Sequence, residues 1–155
     1  MSKFVYRMQN ILNIKQKLED QARMDFGLAM ARLREEEEKL EFLQQRKQGY
    51  EEQARESLRA ALRVNRMREN KEAILRMDEY MEEQRQEIKK AQNTVEVERR
   101  KLQASIQERK IQEKLRENAF EEFMGEEKAR ESREIDELTS YTYGQKKIEE
   151  AAAEA

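Results

Sequence analysis

Apolar residues recur along the chain at alternating steps of three and four, the spacing of one face of a coiled-coil helix. Charged and amide side chains occupy the flanking positions. The spacing predicts a long helix from about residue 4 to residue 64. Its apolar stripe comprises Ala22, Phe26, Ala29, Leu33, Leu40, Leu43, Tyr50, Ala54 and Ala61, with Glu36, Lys47 and Ser57 as polar members. Upstream, we expect Phe4, Met8, Ile11, Leu18 and Ala22 to extend this stripe, with Lys15 between them.

A second stripe follows and predicts a second helix over residues 71–143. Its apolar members are spaced by seven, and two arginines interrupt it before the last aromatic residue. Tyr141 to Gly144 then predicts a helix end, and the Ala/Glu tail over residues 144–155 is expected to fray. The stripe comprises Ile74, Met81, Ile88, Val95, Leu102, Arg109, Arg116 and Phe123, with Met77, Ala91, Ser105, Gln112 and Ala119 between them; Ile135 and Leu138 form its last pair.

Between the two stripes, Asn65 and Asn70 supply the side-chain chemistry of turns. We therefore expect a turn over residues 65–70 and an all-α fold, a single long antiparallel two-helix coiled-coil hairpin over residues 1–155. When the two helices are paired so that the numbers of facing residues add to 135, large side chains face small ones. Because both stripes repeat every seven residues, a pairing with a sum of 128 is also possible. The alternative is a generic coiled-coil scaffold, one uninterrupted helix in a parallel homodimer, which would place each stripe arginine against its own copy.

Composition narrows the function classes. Charged residues make up 43% of the 155 residues and hydrophobic residues 37%, too little apolar material for an ordinary globular core. The chain has no Cys and no His, so thiolate and imidazole chemistry is excluded. We expect no enzyme activity, cofactor or metal. With a net charge of −2 and no apolar run long enough for a signal peptide or membrane span, we expect a soluble cytoplasmic protein.

Two features outside the stripes suggest binding surfaces. A basic cluster surrounds the predicted turn. It marks either an ordinary solvent-exposed tip of the hairpin or a surface that contacts another protein. Nucleic-acid binding is the weaker alternative, because the cluster has no aromatic residues for base stacking. Four apolar residues off the stripes either cover the edges of the coil or mark a partner site. The basic cluster comprises Arg55, Arg59, Arg63, Arg66, Arg68 and Lys71, and the off-stripe residues are Phe42, Leu58, Leu75 and Tyr80.

Over nearly its whole length the chain resembles the flagellar export protein FliJ family, the coiled-coil component of the flagellar type III export ATPase complex. The order, spacing and total length of the matching segments carry this resemblance more than any one of them does. They are FVYRMQNILNIK at residues 4–15, LEFL at residues 40–43 with Tyr50, Tyr80-Met81, Ile88, Val95, Arg99, ERKIQEKL at residues 108–115, Glu121-Glu122-Phe123, Glu126-Glu127 and Glu134-Ile135-Asp136-Glu137-Leu138.

The resemblance implies a stalk-like protein of bacterial flagellum biogenesis and motility that binds a hexameric export ATPase and a membrane export-gate protein and handles export chaperones. It implies a cytoplasmic location at the inner membrane, at the flagellar base, through these partners. The end carrying both termini would face the ATPase, and the middle would face the gate. The ATPase-facing residues would be Phe4, Arg7, Arg133, Asp136 and Glu137, and the gate-facing residues Leu43, Arg46, Tyr50, Met77 and Met81. Some relatives present an aromatic where this chain has Arg46.

Overall fold

The computed structural model describes residues 2–59 and 64–154, and its fold is all-α. Helix α1 covers Gln9–Arg59 and helix α2 covers Val64–Glu154. The chain has no Pro, and Glu, Lys, Arg, Gln, Ala and Leu all have good helix propensity, so nothing within either segment interrupts the backbone hydrogen bonds. The two long predicted helices are therefore confirmed.

The helix bounds differ from the predicted ones at the amino end, at the turn and at the carboxyl end. Helix α1 begins at Gln9, whereas it was predicted to begin at about residue 4. Helix α2 begins at Val64 and includes the predicted turn over residues 65–70, where Asn70 is buried in the helix. It also continues through the predicted tail to Glu154, because one Gly costs only about 1 kcal/mol in a run of good helix formers. The turn at 65–70 and the helix end at residue 144 were thus predicted wrongly. Ala61 and Arg63 lie outside the described residues.

The chain divides into two compact units. Unit 1 consists of Met1–Gln16 and Gln107–Ala155, and unit 2 consists of Lys17–Ile106. Each unit therefore contains a segment of α1 together with a segment of α2. The organisation of the whole chain as a single domain stays a prediction.

The interior of unit 2 follows the two predicted stripes. Ala22, Ala29 and Ala91 are buried, and Met77 and Met81 are each only 6% exposed. The other stripe positions from Phe26 to Ser57 and from Ile74 to Ser105 are half-buried, apart from Glu36, which is buried. Because one helix segment covers the stripe of the other, these apolar faces are buried within one chain.

The cross-helix contacts of unit 2 show that its helices are antiparallel. Lys47 pairs with Asp78 at 2.7 Å, whereas Glu36, earlier in α1, accepts a hydrogen bond from Gln84, later in α2. The residue numbers of these two pairs add to 125 and 120. The predicted pairing, in which the numbers add to 135, was therefore wrong, and the alternative sum of 128 is closer to the observed sums. The observed register differs from the predicted one because α2 begins at Val64 instead of residue 71.

Unit 1 is antiparallel as well, but its interior differs from the predicted upstream stripe. The Lys15 ammonium pairs with Glu108 at 2.9 Å, and Arg116 Nε donates to Gln9 Oε1 at 2.9 Å. Leu12 is 4% exposed, whereas Met8 and Ile11 lie on the surface. Counted back from Ala22 in steps of three and four, the interior positions are Glu19, Lys15 and Leu12. Because two of them are charged, a prediction based on apolar residues selected the wrong face of the helix. At the beginning of unit 2, Leu18 is likewise exposed, and Glu19 is buried in its place.

Candidate functional site

An amino-terminal arm, residues 2–8, precedes α1 in unit 1. The arm turns into the helix through backbone hydrogen bonds: the Gln9 N–H donates to the Tyr6 carbonyl at 3.2 Å, and the Leu12 N–H donates to the Met8 carbonyl at 3.1 Å. Arg7 lies in this turn, and its side chain is exposed. This predicted ATPase-facing residue is therefore available at the surface.

Phe4 anchors the arm against α2. Its ring lies edge-on to Phe120, with centroids 5.2 Å apart, and tilted against Phe123 at 5.4 Å. The Arg116 guanidinium lies 5.9 Å from the Phe4 ring centroid, a cation–π geometry. Phe4 is consequently half-buried and holds the arm in place.

A second contact fixes the beginning of the arm. The Arg130 guanidinium donates to the Ser2 hydroxyl at 2.8 Å and pairs with the Glu127 carboxylate at 3.2 Å. The sequence reasoning missed Ser2 and Arg130, because neither belongs to an apolar stripe. Their contact continues the antiparallel pairing seven residues beyond Phe123.

The remaining residues that were predicted to face the ATPase lie farther along α2. Arg133, Asp136 and Glu137 are all exposed, and their spacing of three and four places them on one face of the helix. Arg133 lies ten positions after Phe123, about 15 Å farther along the helix axis. The structure thus brings Arg133, Asp136 and Glu137 together but leaves Phe4 in the aromatic cluster.

Beyond residue 130, α2 exposes apolar side chains as well as charges. Ile135 and Leu138, the predicted last pair of the stripe, are 62% and 66% exposed, and Tyr141 and Ile148 are exposed to a similar extent. The Tyr141 hydroxyl accepts a hydrogen bond from Gln145 at 2.9 Å. The part of α2 that carries Arg133, Asp136 and Glu137 therefore also presents an apolar surface. The spacing alone could not distinguish this surface from a continued coil interior.

The predicted gate-facing residues occupy the middle of unit 2. Met77 and Met81 are buried, and Leu43 and Tyr50 are half-buried. Arg46 is exposed; its guanidinium lies 5.9 Å from the Phe42 ring centroid and donates to the Tyr50 hydroxyl at 3.2 Å. The surface part of the predicted gate-facing site thus consists of Phe42, Arg46 and Tyr50 on α1. The two methionines lie in the interior.

The off-stripe residues and the basic cluster are both at the surface. Phe42, Leu58, Leu75 and Tyr80 are exposed. Arg55, Arg59, Arg66, Arg68 and Lys71 are exposed too, whereas Arg63 lies outside the described residues.

Charged groups in unit 2 are held in their ionised forms. A hydrogen bond from Gln84 lowers the pKa of the buried Glu36 carboxyl below its ordinary value, with Lys39 and Arg32 acting in the same direction against the effect of burial. A hydrogen bond to Asp78 raises the pKa of Lys47. The contacts favour the charged form of each group, so neither group is poised to exchange a proton near neutral pH.

Residues 2–59 and 64–154 contain neither a candidate metal site nor a candidate membrane span. In these ranges no cluster of three or more acidic, His or Cys side chains has a geometry that could hold a metal ion. In the same ranges no helix has the length and apolar character to cross a membrane.

Comparison with known protein families gives a match that covers most of the chain. The family described as "Flagellar FliJ protein" matches residues 3–147, nearly the whole chain. No curated protein and no solved structure matches the sequence or the fold.

Proposed function

Because this chain belongs to the FliJ family, a non-enzymatic component of flagellar protein export, we propose that it links the hexameric export ATPase to the membrane export gate. In this proposal the protein works in the cytoplasm, at the inner membrane beneath the flagellar base, and is held there by its partners. It also receives export chaperones. The observation that carries the proposal is the family match over residues 3–147.

The ATPase-facing surface is proposed to lie in unit 1. Arg7, Arg133, Asp136 and Glu137 are exposed and charged, so a partner can reach each of them without unfolding the helices. The aromatic cluster around Phe4 supports this surface by fixing the arm. Exposed apolar residues on the same stretch of α2 would add buried area to a charged contact.

The gate-facing surface is proposed to lie in the middle of unit 2. Arg46 and Tyr50 hydrogen-bond to each other beside the exposed Phe42, and residues of these types are enriched where protein interfaces are strongest. Leu43, Met77 and Met81 support this surface from the interior. In this proposal, the methionines act through packing.

The test uses two purified probes from the same source, the hexameric export ATPase and the cytoplasmic part of the export-gate protein. Titration calorimetry measures the affinity of the full chain for each. We expect Arg46→Ala with Phe42→Ala to weaken only gate binding, and Arg133→Gln with Glu137→Gln to weaken only ATPase binding. Loss of both affinities in either variant, with helicity unchanged, would contradict the assignment of one surface to each partner. Absence of binding to either probe by the unaltered chain would contradict the proposed function.

A further inference from the structure

Two polar contacts join α1 and α2 inside unit 2. The Gln84 amide donates to the Glu36 carboxylate at 2.6 Å and to the Glu36 backbone carbonyl at 2.8 Å. Glu36 is only 5% exposed, so this contact lies within the interior of the coil. The Lys47 ammonium makes an ion pair with Asp78 at 2.7 Å. Together these two contacts are called the register lock.

The apolar stripes by themselves permit more than one register. Ile74, Met81, Ile88, Val95 and Leu102 recur every seven residues, and the stripe on α1 has the same repeat. A displacement of α2 by seven residues along α1 would therefore again bring apolar residues against apolar residues. Burial of these stripes provides cohesion but does not select among registers that differ by a heptad.

Displacement by one heptad would break the Glu36 contact in either direction. The residue seven positions before Gln84 is Met77, and the residue seven positions after it is Ala91. Neither side chain can donate a hydrogen bond to a carboxylate. Glu36 would then remain a buried charge without its cross-helix donor, which is costly in a coil interior.

The same displacement would turn the Lys47 ion pair into a repulsion. The residue seven positions before Asp78 is Lys71, and the residue seven positions after it is Arg85. In both directions Lys47 would meet a second positive charge where it now meets a carboxylate. The cross-helix contacts therefore oppose displacement whichever way α2 moves.

We propose that the register lock, Glu36–Gln84 with Lys47–Asp78, selects the one observed pairing of α1 and α2 in unit 2. The lock is a conformational device: it decides which residues face each other, while the apolar stripes decide that the helices pair at all. This inference is independent of the proposed function, since it concerns contacts within unit 2 alone.

The absence of cysteine from the chain allows a direct test by introduced cysteine pairs and a bismaleimide cross-linker. Lys47→Cys with Asp78→Cys reports the observed register. Lys47→Cys with Lys71→Cys, or with Arg85→Cys, reports a displacement of one heptad. The Lys47 substitution removes one half of the lock in all three proteins, so the Glu36–Gln84 contact alone holds the register.

With Glu36 and Gln84 unchanged, we expect efficient cross-linking only of the 47–78 pair. Adding Glu36→Leu and Gln84→Leu should raise cross-linking of the 47–71 or 47–85 pair to a comparable yield and lower that of the 47–78 pair. The leucines should preserve the coil, because replacing buried polar groups by apolar ones is often neutral or stabilising. Circular dichroism confirms folding, and Glu36→Met with Gln84→Met provides a second version with different packing.

The matched control is Glu37→Leu with Glu83→Leu, which adds two leucines at exposed positions and keeps the Glu36–Gln84 contact. This control should cross-link only through the 47–78 pair. If the folded Glu36 and Gln84 variants also cross-link only through the 47–78 pair, the apolar stripes select the register and the proposal is overturned.

Discussion

The Phe4 ring packs edge-on against Phe120 with centroids 5.2 Å apart, and this contact ties an arm without helical structure to a long helix. Aromatic pairs of this geometry contribute about 0.5–1.5 kcal/mol beyond the burial of their area. Phe123 and the Arg116 guanidinium complete the surroundings of the ring. The position of the arm against α2 thus depends strongly on the Phe4 side chain.

We expect Phe4→Ala to lower the free energy of unfolding by about 2 kcal/mol, roughly half the cost of truncating a fully buried Phe, because the ring is half-buried. Urea unfolding followed by circular dichroism measures the change. Val5→Ala is the matched control, since Val5 is exposed in the same arm, and it should change stability by less than about 0.5 kcal/mol. Equal losses in the two variants would mean that the aromatic cluster contributes nothing specific.

Leu33→Asp should destabilise unit 2 by about 3 kcal/mol, because it places a charge on the face that α1 buries against α2. Leu28→Asp introduces the same charge on the same helix at an exposed position, and its effect should be small. Thermal unfolding of the two proteins compares them directly. Similar melting temperatures would show that the buried face of α1 has been misidentified.

Gly49→Ala and Gly125→Ala should each stabilise the protein by about 1 kcal/mol, since Ala is the better helix former and loses less backbone entropy on folding. At both positions an added methyl group would meet no heavy atom within 4 Å beyond the neighbouring residues and backbone of its own helix, so packing does not oppose the change. Denaturant midpoints measure the effect. A loss of stability in either variant would imply that the glycine is required by a contact absent from this structure.

Acid should remove the contribution of the Glu36 carboxylate to stability. Its pKa is lower in the folded protein, chiefly because Gln84 donates to it, so this contribution is present above the pKa of the unfolded chain and disappears as the pH falls through the folded pKa. The stability difference between the unaltered protein and Glu36→Gln should therefore shrink between about pH 6 and about pH 3. Glu37→Gln is the exposed control, and a difference that stays constant for Glu36→Gln would refute the argument.

Much of the fold follows from the spacing of apolar residues, because a three-four repeat has only one face to bury. That repeat located the stripe positions of unit 2 from Ala22 onward, including the polar members Glu36 and Lys47. It failed upstream, where Leu12 and Glu19 are buried and the predicted stripe members Ile11 and Leu18 are exposed. It also failed at the turn, since Asn65 and Asn70 are as compatible with a helix as with a turn when no Pro or Gly accompanies them.

The candidate site was predictable only in part. Exposure of Arg133, Asp136 and Glu137 agrees with their charge, whereas the burial of Met77 and Met81 follows from the stripe to which they belong. The hydrogen bond from Arg130 to Ser2 depends on the path of the amino-terminal arm, which lies outside the helix. A heptad pattern contains no information about such a path.

The central claim, that unit 1 engages the export ATPase, is tested most directly by the rate of ATP hydrolysis of the purified hexamer with this protein added. Arg133→Gln, Asp136→Asn and Glu137→Gln are combined in one variant; all three residues are exposed, so the fold should be preserved. The control combines Arg34→Gln, Asp20→Asn and Glu37→Gln, the same charge change at exposed positions of unit 2. We expect the unaltered protein and the control to stimulate hydrolysis and the unit 1 variant to lose that stimulation. Full stimulation by a correctly folded unit 1 variant would contradict the claim.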